Sequence, residues 1–567
     1  MRTMVQWFRT EVNNQLTAEA AVSRHFTEKS STRLAGLRVT GVVTLLLLMI
    51  SSFATAQEDK VFKMALVRYN LNGSLDGSFG GTGKVIIDFP TSTSEKAYGM
   101  CFDDEGKIMS VGSASGQFAL TLYHTNGTID GVFGNNGRVL TSFPGFDAKA
   151  YAVAVQADGK YVVVGKARKL SDDDYYFAVA RYNSLGGLDN TFDGDGKILT
   201  NFSTSTELES AHAVAIQPNG KIVVAGDAYA NGHQFALLRY NPNGSLDTAF
   251  DGDGKVLTNF TASADESAYA MKLQNDGKIV AAGSAVIDGS EQFALARYNS
   301  NGKLDASFDG DGKVITNFFS GPSEAINDIA IQGDGKIVAA GSASANGSSS
   351  QFQFALARYN TNGSLDATFD KDGRVVTNFA AATSESINGV ALQDNGRIAA
   401  GGFAYINGHF QFAVARYNSN GSLDASFDGD GKLVTNFAST DEEFANAIAI
   451  QSDGKIVVAG EAVNAAAGKS VAEDEAILLP ETYSLSQNNP NPFNPTTTIQ
   501  FALKESGWTT LKIYNAVGQE VAVLVDGNLE AGQHTFNFNA ADLPSGIYFY
   551  QVSVNDFRAV KKMQLVK

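Results

Sequence analysis

Cysteine is nearly absent. Cys101 stands alone among 567 residues, which excludes an internal disulfide and any paired-cysteine metal or redox motif. Proline is scarce at 10 residues, whereas glycine reaches 57. That imbalance suits many short strands and tight turns better than helices or disorder. Positive charge is in deficit too: 43 Lys and Arg stand against 60 Asp and Glu, a net charge of −17. Phosphate backbones are bound by clustered cations, so nucleic acid is not expected as a partner. The acidity reads as solubility. The six histidines, His25, His124, His212, His233, His409 and His534, lack HExxH or any paired spacing. No metal or other cofactor is therefore expected.

One apolar run lies near the N-terminus, VVTLLLLMISSFATAQ, a few residues after Arg38. It has signal-peptide length and contains Ala54-Thr55-Ala56, an A-x-A cleavage site. It is too short for a comfortable membrane span, and no cysteine follows it for lipid attachment. The mature chain is expected to carry no transmembrane anchor. Residues 1–37 exceed an ordinary n-region, and a misassigned start codon is favoured over an extended leader. Residues 1–56 are read as leader and signal peptide.

What is abundant is repetition. Tyr69, Tyr123, Tyr182, Tyr240, Tyr298, Tyr359 and Tyr417 mark seven copies spaced 54 to 61 residues apart. Self-similarity at such a period signals a repeat architecture. Each copy reads as four short strands: F-A-L-A-R-Y, K-V-x-T-N-F (Lys313 to Phe318), A-I-x-x-I-A-I-Q (Ala325 to Gln332) and K-I-V-A-A-G (Lys336 to Gly341). The last two are joined by Asp276-Gly277, Asp334-Gly335 or Asn395-Gly396, the two-residue signal of a tight hairpin. Four antiparallel strands repeated seven times predict an all-β, seven-bladed propeller over residues 57–460.

The ends of the array predict how it closes. It opens on an R-Y strand, Met64 to Tyr69, and finishes on Lys455 to Gly460. Grouping the K-V, A-I-Q, K-I-V and R-Y strands as one blade gives six complete blades. The seventh takes three strands from the C-terminal end and its fourth from Met64 to Tyr69. First-strand closure of this kind leaves no naked edge.

Comparison of the copies with one another suggests a contact. Arg occupies the R-Y-N position in six copies: Arg68, Arg181, Arg239, Arg297, Arg358 and Arg416. Glu follows 27 or 28 residues later in the same six: Glu95, Glu209, Glu266, Glu324, Glu385 and Glu443. The second copy has Leu122 and Ala148 instead. Loss of both together predicts structural ion pairs such as Arg239 with Glu266, since one partner alone would leave a shielded charge uncompensated. The alternative is a ring of charges around a ligand. The repeated Tyr and the Phe of L-D-x-x-F (Phe250, Phe308, Phe369) read as core and inter-blade packing.

Phe-Asp-Gly-Asp-Gly-Lys recurs with its first aspartates at Asp193, Asp251, Asp309 and Asp428, and Asp370 opens a variant. Asp-x-Asp-Gly begins many calcium loops. The later ligands of an EF-hand are missing, and two copies carry Gly80-Gly81-Thr82-Gly83 and Gly134-Asn135-Asn136-Gly137. Those copies keep turn formers and lose carboxylates, so a plain turn is preferred to calcium.

Residues 461–481 turn Ala-rich and then acidic, and read as a linker ending near Pro480. Residues 482–567 read as alternating strands of a small Ig-like sandwich. Asn491-Pro492-Phe493-Asn494-Pro495, Gly518-Gln519-Glu520-Val521, Leu543-Pro544-Ser545-Gly546-Ile547-Tyr548 and Lys561-Lys562-Met563 resemble the type IX secretion sorting domain (type A). The resemblance implies export through periplasm and outer membrane, recognition by the type IX machinery, and a place at the cell surface or outside the cell. The repeats resemble the delta-sixty repeat family, a propeller-type repeat without an established biochemical role.

These features predict a secreted, non-catalytic binding or adhesion scaffold with a surface glycan or protein as ligand. A propeller enzyme acting on polysaccharide, a lyase or hydrolase, is the alternative. No nucleophile elbow, metal set or carboxylate that stands out from its repeats marks catalysis. Ligand recognition is expected in the variable connections, where Tyr229, His233, Tyr405 and His409 form the candidate surface. A cluster of non-repeating acids, His or Tyr in the central channel would favour catalysis, whereas seven equivalent small residues would favour a scaffold.

Overall fold

Strands of four types alternate with turns so regularly that each copy folds as its own four-stranded antiparallel sheet. In the third blade these are Ser210–Ile216, Ile222–Tyr229, His233–Tyr240 and Lys255–Thr258, paired in that order. The computed structural model describes residues 62–463 and 482–567, apart from 90–91, 93, 203–207, 231, 262–264, 320–322, 345–350, 381–383, 438–441, 489, 506, 530–531 and 542. The expected leader lies outside the described residues, as does nearly all of the expected linker. Among the described residues no helix forms.

Seven such sheets form the propeller. Blades 1 to 6 span residues 95–141, 146–200, 210–258, 266–316, 324–377 and 385–435. Blade 7 joins the two ends of the array. Glu443–Ile450 and Ile456–Val463 pair with Phe62–Tyr69, which pairs with Lys84–Ile87. The register runs from Phe62 opposite Val463 to Tyr69 opposite Ile456, so the first strand closes the ring as expected. The last strand reaches Val463, past the expected end at residue 460.

The grouping of strands is corrected by one place. The K-V strand is the outermost strand of the blade whose R-Y strand precedes it, as Phe235 opposite Thr258 shows. Closure is therefore two strands from each end, not three and one. The cause lies in the L-D-x-x-F segment. It folds back on its own blade, with Leu246 bridging to Tyr240, and so returns the chain to the strand it has just left.

The arginines bind aspartate, not glutamate. Arg181, Arg239, Arg297, Arg358 and Arg416 place Nε 2.9, 2.6, 2.7, 2.7 and 2.7 Å from Asp189, Asp247, Asp305, Asp366 and Asp424, and Arg68 lies 2.8 Å from Asp76. A second cation reaches each of these aspartates, such as Lys278 to Asp305 at 3.1 Å and Lys336 to Asp366 at 2.9 Å. Each guanidinium also covers the Phe of L-D-x-x-F, at 4.5 Å for Arg297 over Phe308. Its Nη1 donates to a carbonyl in the next blade's turn: Arg297 to Thr361 O, and Arg416 to Leu71 O across the closure.

The predicted Arg–Glu pairs fail for a topological reason. Arg297 lies opposite Val280 at the start of the second strand, whereas Glu266 lies opposite Ala285 near that strand's end. The two types of residue therefore sit at opposite ends of the blades. Each of the six glutamates instead receives a backbone N–H from the Phe of K-V-x-T-N-F or its equivalent. Phe89 donates to Glu95 at 2.8 Å, Phe202 to Glu209 at 2.9 Å, Phe260 to Glu266 at 2.7 Å, Phe379 to Glu385 at 2.8 Å and Phe437 to Glu443 at 2.6 Å. Glu324 holds both Phe318 and Phe319. In the second copy the connection shortens to a turn, with Phe146 N–H on Phe143 O at 2.9 Å, and Ala148 suffices. Nothing in the structure links that change to Leu122.

The Asp-Gly-Asp-Gly loops have a backbone role. Their first aspartates have φ near 51° (45° at Asp370), a left-handed conformation that Asp tolerates better than most residues. It aims their N–H at the next blade: Asp193 to Asn243 O, Asp251 to Asn301 O and Asp428 to Asn72 O across the closure. Gly80 and Gly134 donate equivalent bonds to Asn126 and Leu185. This explains why the carboxylate is dispensable and the turn is not. Buried Tyr hydroxyls bond the preceding blade's outer Thr, as Tyr298 to Thr258 at 2.7 Å. The packing expected of the Tyr and Phe is thus present.

In the C-terminal region, Ser484–Leu485, Thr496–Leu503 and Gly532–Asn539 form one sheet. Glu520–Leu529, Gly507–Asn515, Gly546–Val554 and Phe557–Leu565 form the other. They enclose Ile499, Phe501, Leu511, Ile513, Tyr550 and Val552, as an Ig-like sandwich does. The terminal motifs are structural: Phe493 and Met563 are buried, and Asn491 Oδ1 accepts the Gln564 N–H at 2.9 Å.

Candidate functional site

The first strand of every blade touches the first strands of the blades on either side, so these seven strands surround the axis. Each carries one extra residue. The pairing slips between Ala97 and Gly99, Ala150 and Ala152, Ala211 and Ala213, Ala268 and Ala270, Ile326 and Asp328, Ile387 and Gly389, and Ala445 and Ala447. Such a β-bulge removes one residue from the ladder and re-aims its side chain. The glycine that ends K-I-V-A-A-G makes room for it. A Cβ on Gly226 would lie 1.8 Å from the Ser210 carbonyl oxygen, and one on Gly283 1.8 Å from that of Ser267.

The seven bulged residues are Tyr98, Tyr151, His212, Tyr269, Asn327, Asn388 and Asn446, all half-buried. They divide into two arcs. Asn327, Asn388 and Asn446 donate from Nδ2 to Ile387 O, Ala445 O and Ala97 O at 2.7, 2.8 and 2.8 Å. These amides tie neighbouring inner strands together. The other arc is aromatic. Tyr98 lies edge-on to Tyr151 at 5.2 Å, Tyr151 stacks on His212 at 5.2 Å, and Tyr269 meets His212 edge-on at 5.5 Å.

Charge gathers beside the aromatic arc. His212 Nε2 is 2.9 Å from Oδ1 of Asp227, which is buried, and His233 Nδ1 is 3.4 Å from Oδ2. The Tyr229 ring lies 5.4 Å from His233. Lys166 approaches the rings of Tyr151 and Tyr175 at 5.9 and 5.6 Å. Lys96 pairs with Glu461 at 2.8 Å and covers Phe62 at 4.7 Å. Burial pushes the Glu461 carboxyl above its ordinary range, opposed by Lys96 and Lys149. Burial likewise raises the Cys101 thiol, so it is not a ready thiolate.

Of the residues expected to bind, Tyr229 and His233 join this cluster. Tyr405 and His409 do not. They occupy the corresponding hairpin of blade 6, where Tyr405 packs on Phe410 at 5.0 Å, and Phe410 contacts Phe403 and Phe444. The four bulged aromatics are hidden in the sequence because each is a lone letter inside an apolar strand. Their signal was the column three residues after the repeated Glu, which reads Tyr, Tyr, His, Tyr, Asn, Asn, Asn across the copies, with Ala148 in the Glu place of the second.

Elsewhere, a depression of about 520 Å³ lies between blades 4 and 5, lined by Gln274, Arg297, Gln332 and Thr361. Arg297 and Thr361 there bond each other across the blade junction, a structural contact repeated around the ring. Among the described residues no group of three His, Cys, Asp or Glu is placed to hold a metal ion.

A family model described as a domain of unknown function (DUF5122) beta-propeller matches residues 60–79, 156–192, 217–250, 274–308, 332–369, 393–427 and 451–472. A secretion system C-terminal sorting domain matches residues 489–566. Outer membrane protein B of Rickettsia typhi is 24% identical over 298 residues, 49% of this chain but only 17% of that protein. Among solved structures, a PL25 ulvan lyase has 10% identity and a TM-score of 0.35 over 75% of this chain and 91% of its own. PorZ, a type IX secretion component of Porphyromonas gingivalis, has 10% identity and a TM-score of 0.23 over 85% of this chain and 83% of its own. Neither likeness bears on the chemistry of this chain. The chain is built of DUF5122 β-propeller repeats and ends in a type IX secretion sorting domain, which marks it for export to the cell surface or extracellular space.

Proposed function

We propose that the propeller is a surface-displayed binding scaffold that takes its ligand where the aromatic arc meets the hairpins of blades 2 and 3. The observation that carries this reading is the division of the bulged column. Near-identical repeats place Asn at three positions, where it ties strands together, and Tyr or His at the other four. Half-buried aromatic rings suit a ligand with its own flat apolar faces, such as a sugar or a peptide side chain. Glycan-array binding of the exported full chain tests this. Tyr151→Ala should remove the signal while leaving the melting temperature nearly unchanged. Equal binding by the variant would refute the reading.

A second reading, an enzyme acting on polysaccharide, is favoured by the criterion drawn from the sequence, because non-repeating Tyr and His, not seven equivalent small residues, lie on the strands around the axis. His212 sits between two tyrosines with Nε2 against the buried Asp227 carboxylate, an orientation in which an imidazole can move protons. Incubation with polysaccharides that bind, followed by chromatography of the products, separates the two. Turnover lost in His212→Ala would favour the enzyme. Binding without turnover favours the scaffold.

A further inference from the structure

The two sheets of the C-terminal sandwich differ on the faces turned away from their shared core. An outer face in water normally reads polar, and the central strand of the three-stranded sheet does, with Thr496, Thr498 and Gln500 there. The four-stranded sheet does not. Its Leu511, Ile513, Tyr548, Tyr550, Val552 and Met563 line the core, so the alternate positions face outward. These hold Trp508, Val523, Ile547 and Val560, which are 64%, 45%, 45% and 51% exposed. Tyr514 stands opposite Phe549 on the same face, both half-buried. An apolar face of this kind marks a contact surface.

Charge is laid out on it in a definite order. Three cross-strand rows run Asp526–Thr510–Ser553–Arg558, Val523–Lys512–Gln551–Val560 and Glu520–Tyr514–Phe549–Lys562. One edge strand thus presents acids and the other bases. Lys512 reaches Glu520 at 3.0 Å, Trp508 donates to Asp526 at 3.0 Å and Arg558 donates to Gln551 at 2.6 Å. These contacts lie within the face and leave it uncovered, since Glu520, Asp526, Arg558 and Lys562 are all exposed.

We infer that a second copy of the chain docks on this face, sheet against sheet, about a two-fold axis parallel to the strands. That axis lays each edge strand over the opposite edge of its mate. Asp526 then meets Arg558 of the second copy, Val523 meets Val560, Tyr514 meets Phe549 and Glu520 meets Lys562, each pair occurring twice. Lys512 meets Gln551 and keeps Glu520 as its own partner. Turning the axis across the strands would instead stack acid on acid and base on base. The crossing of packed sheets, about 30°, shifts the edges by about one residue, within reach of Arg and Lys side chains. Complementarity of the face with itself in all three rows is what singles out a second copy over another protein. The inference does not depend on the ligand reading above. Two copies joined here carry two propellers, which raises avidity for a repeated ligand.

The test is analytical ultracentrifugation of the intact chain, sorting domain included, across a concentration series. A monomer–dimer equilibrium is expected. Arg558→Glu sets acid against Asp526 of the second copy at both ends of the contact and should weaken the dimer about tenfold or more. Asp526→Lys should do the same by setting base against Arg558. Mixed together, the two variants should associate as strongly as the parent, because each reversal then faces the other. Val560→Asp, in the apolar row, should also shift the equilibrium to monomer. All three should keep the parent's circular dichroism spectrum, which separates a lost contact from a lost fold. A monomer at every concentration of the parent chain overturns the inference, and loss of export in Val560→Asp would then give the face to the secretion machinery. A dimer that survives all three substitutions overturns it too, by placing the contact elsewhere on the chain. Failure of the mixed variants to associate would overturn the two-fold arrangement.

Discussion

The two ends of the propeller are built from the same repeats and obey opposite rules. At the end carrying the Asp-Gly turns, nearly every blade repeats one arrangement: Arg or Lys on a buried Asp, Phe beneath the guanidinium, and an N–H or guanidinium reaching into the next blade's turn. At the end carrying the longer hairpins, equivalent positions hold Lys, Asp, Glu, Ser, Phe or Ala. Uniform contacts around a ring fix geometry, because each blade must meet its neighbour at the same angle. Once that end secures the circle, the other is free to vary. On the reading proposed above, the departures from the repeat, not the repeat itself, are where recognition is to be sought.

That contrast can be tested by substitution. Asp366→Ala, at the uniform end, would leave Arg358 and Lys336 without their anion in a mostly buried site. A loss of about 3–5 kcal/mol of stability is expected by urea denaturation, with affinity unchanged in whatever remains folded. Gly226→Ala, under the bulge of His212, places a Cβ against the Ser210 carbonyl. It should cost about 1–3 kcal/mol and also disturb binding, because the bulge orients the ring.

The glutamates make a subtler distinction, visible in the pH dependence. Burial pushes Glu95 and Glu266 up to about 7 from an ordinary 4.5, despite the backbone N–H groups they accept. Between these values the folded chain holds protons that the unfolded chain has released, so stability should fall as pH rises from about 4.5 to 7. Asp305 behaves oppositely. Its burial would raise it, but hydrogen bonds from Ser307 and Lys278 and the charge of Arg297 outweigh this and hold it at about 2. Its contribution is present above its ordinary 3.8 and is lost as pH falls toward 2. Glu266→Gln should flatten part of the slope on the neutral side, measured by thermal melts from pH 5 to 8. An unchanged slope would mean that Glu266 is ionised throughout that range.

The fold was legible because its signals are local. Asp-Gly turns, alternating apolar strands and a Tyr repeated at near-constant spacing specify four-stranded units without tertiary information. The first and last strands supplied the closure. The grouping was not legible, because the K-V strand lies between two candidate partners in sequence. Only the backfolding of L-D-x-x-F, seen in the Tyr240–Leu246 bridge, decides between them. Joint loss in one copy does not imply contact for the Arg and Glu, because strand direction places those residues at opposite ends. Two of the four residues expected to bind, Tyr229 and His233, lie beside the aromatic arc, whereas Tyr405 and His409 do not. The arc itself depends on a bulge that turns an ordinary strand position toward the axis, and pairing register is set by tertiary packing rather than by residue type.

The most direct measurement compares the two arcs in one experiment: glycan-array binding of Tyr151→Ala and Asn388→Ala, each beside the parent chain. Tyr151→Ala should lose the signal and keep its melting temperature. Asn388→Ala should melt lower, having lost its bond to Ala445, and still bind. Loss of binding in Asn388→Ala with retention in Tyr151→Ala would contradict the assignment of recognition to the aromatic arc.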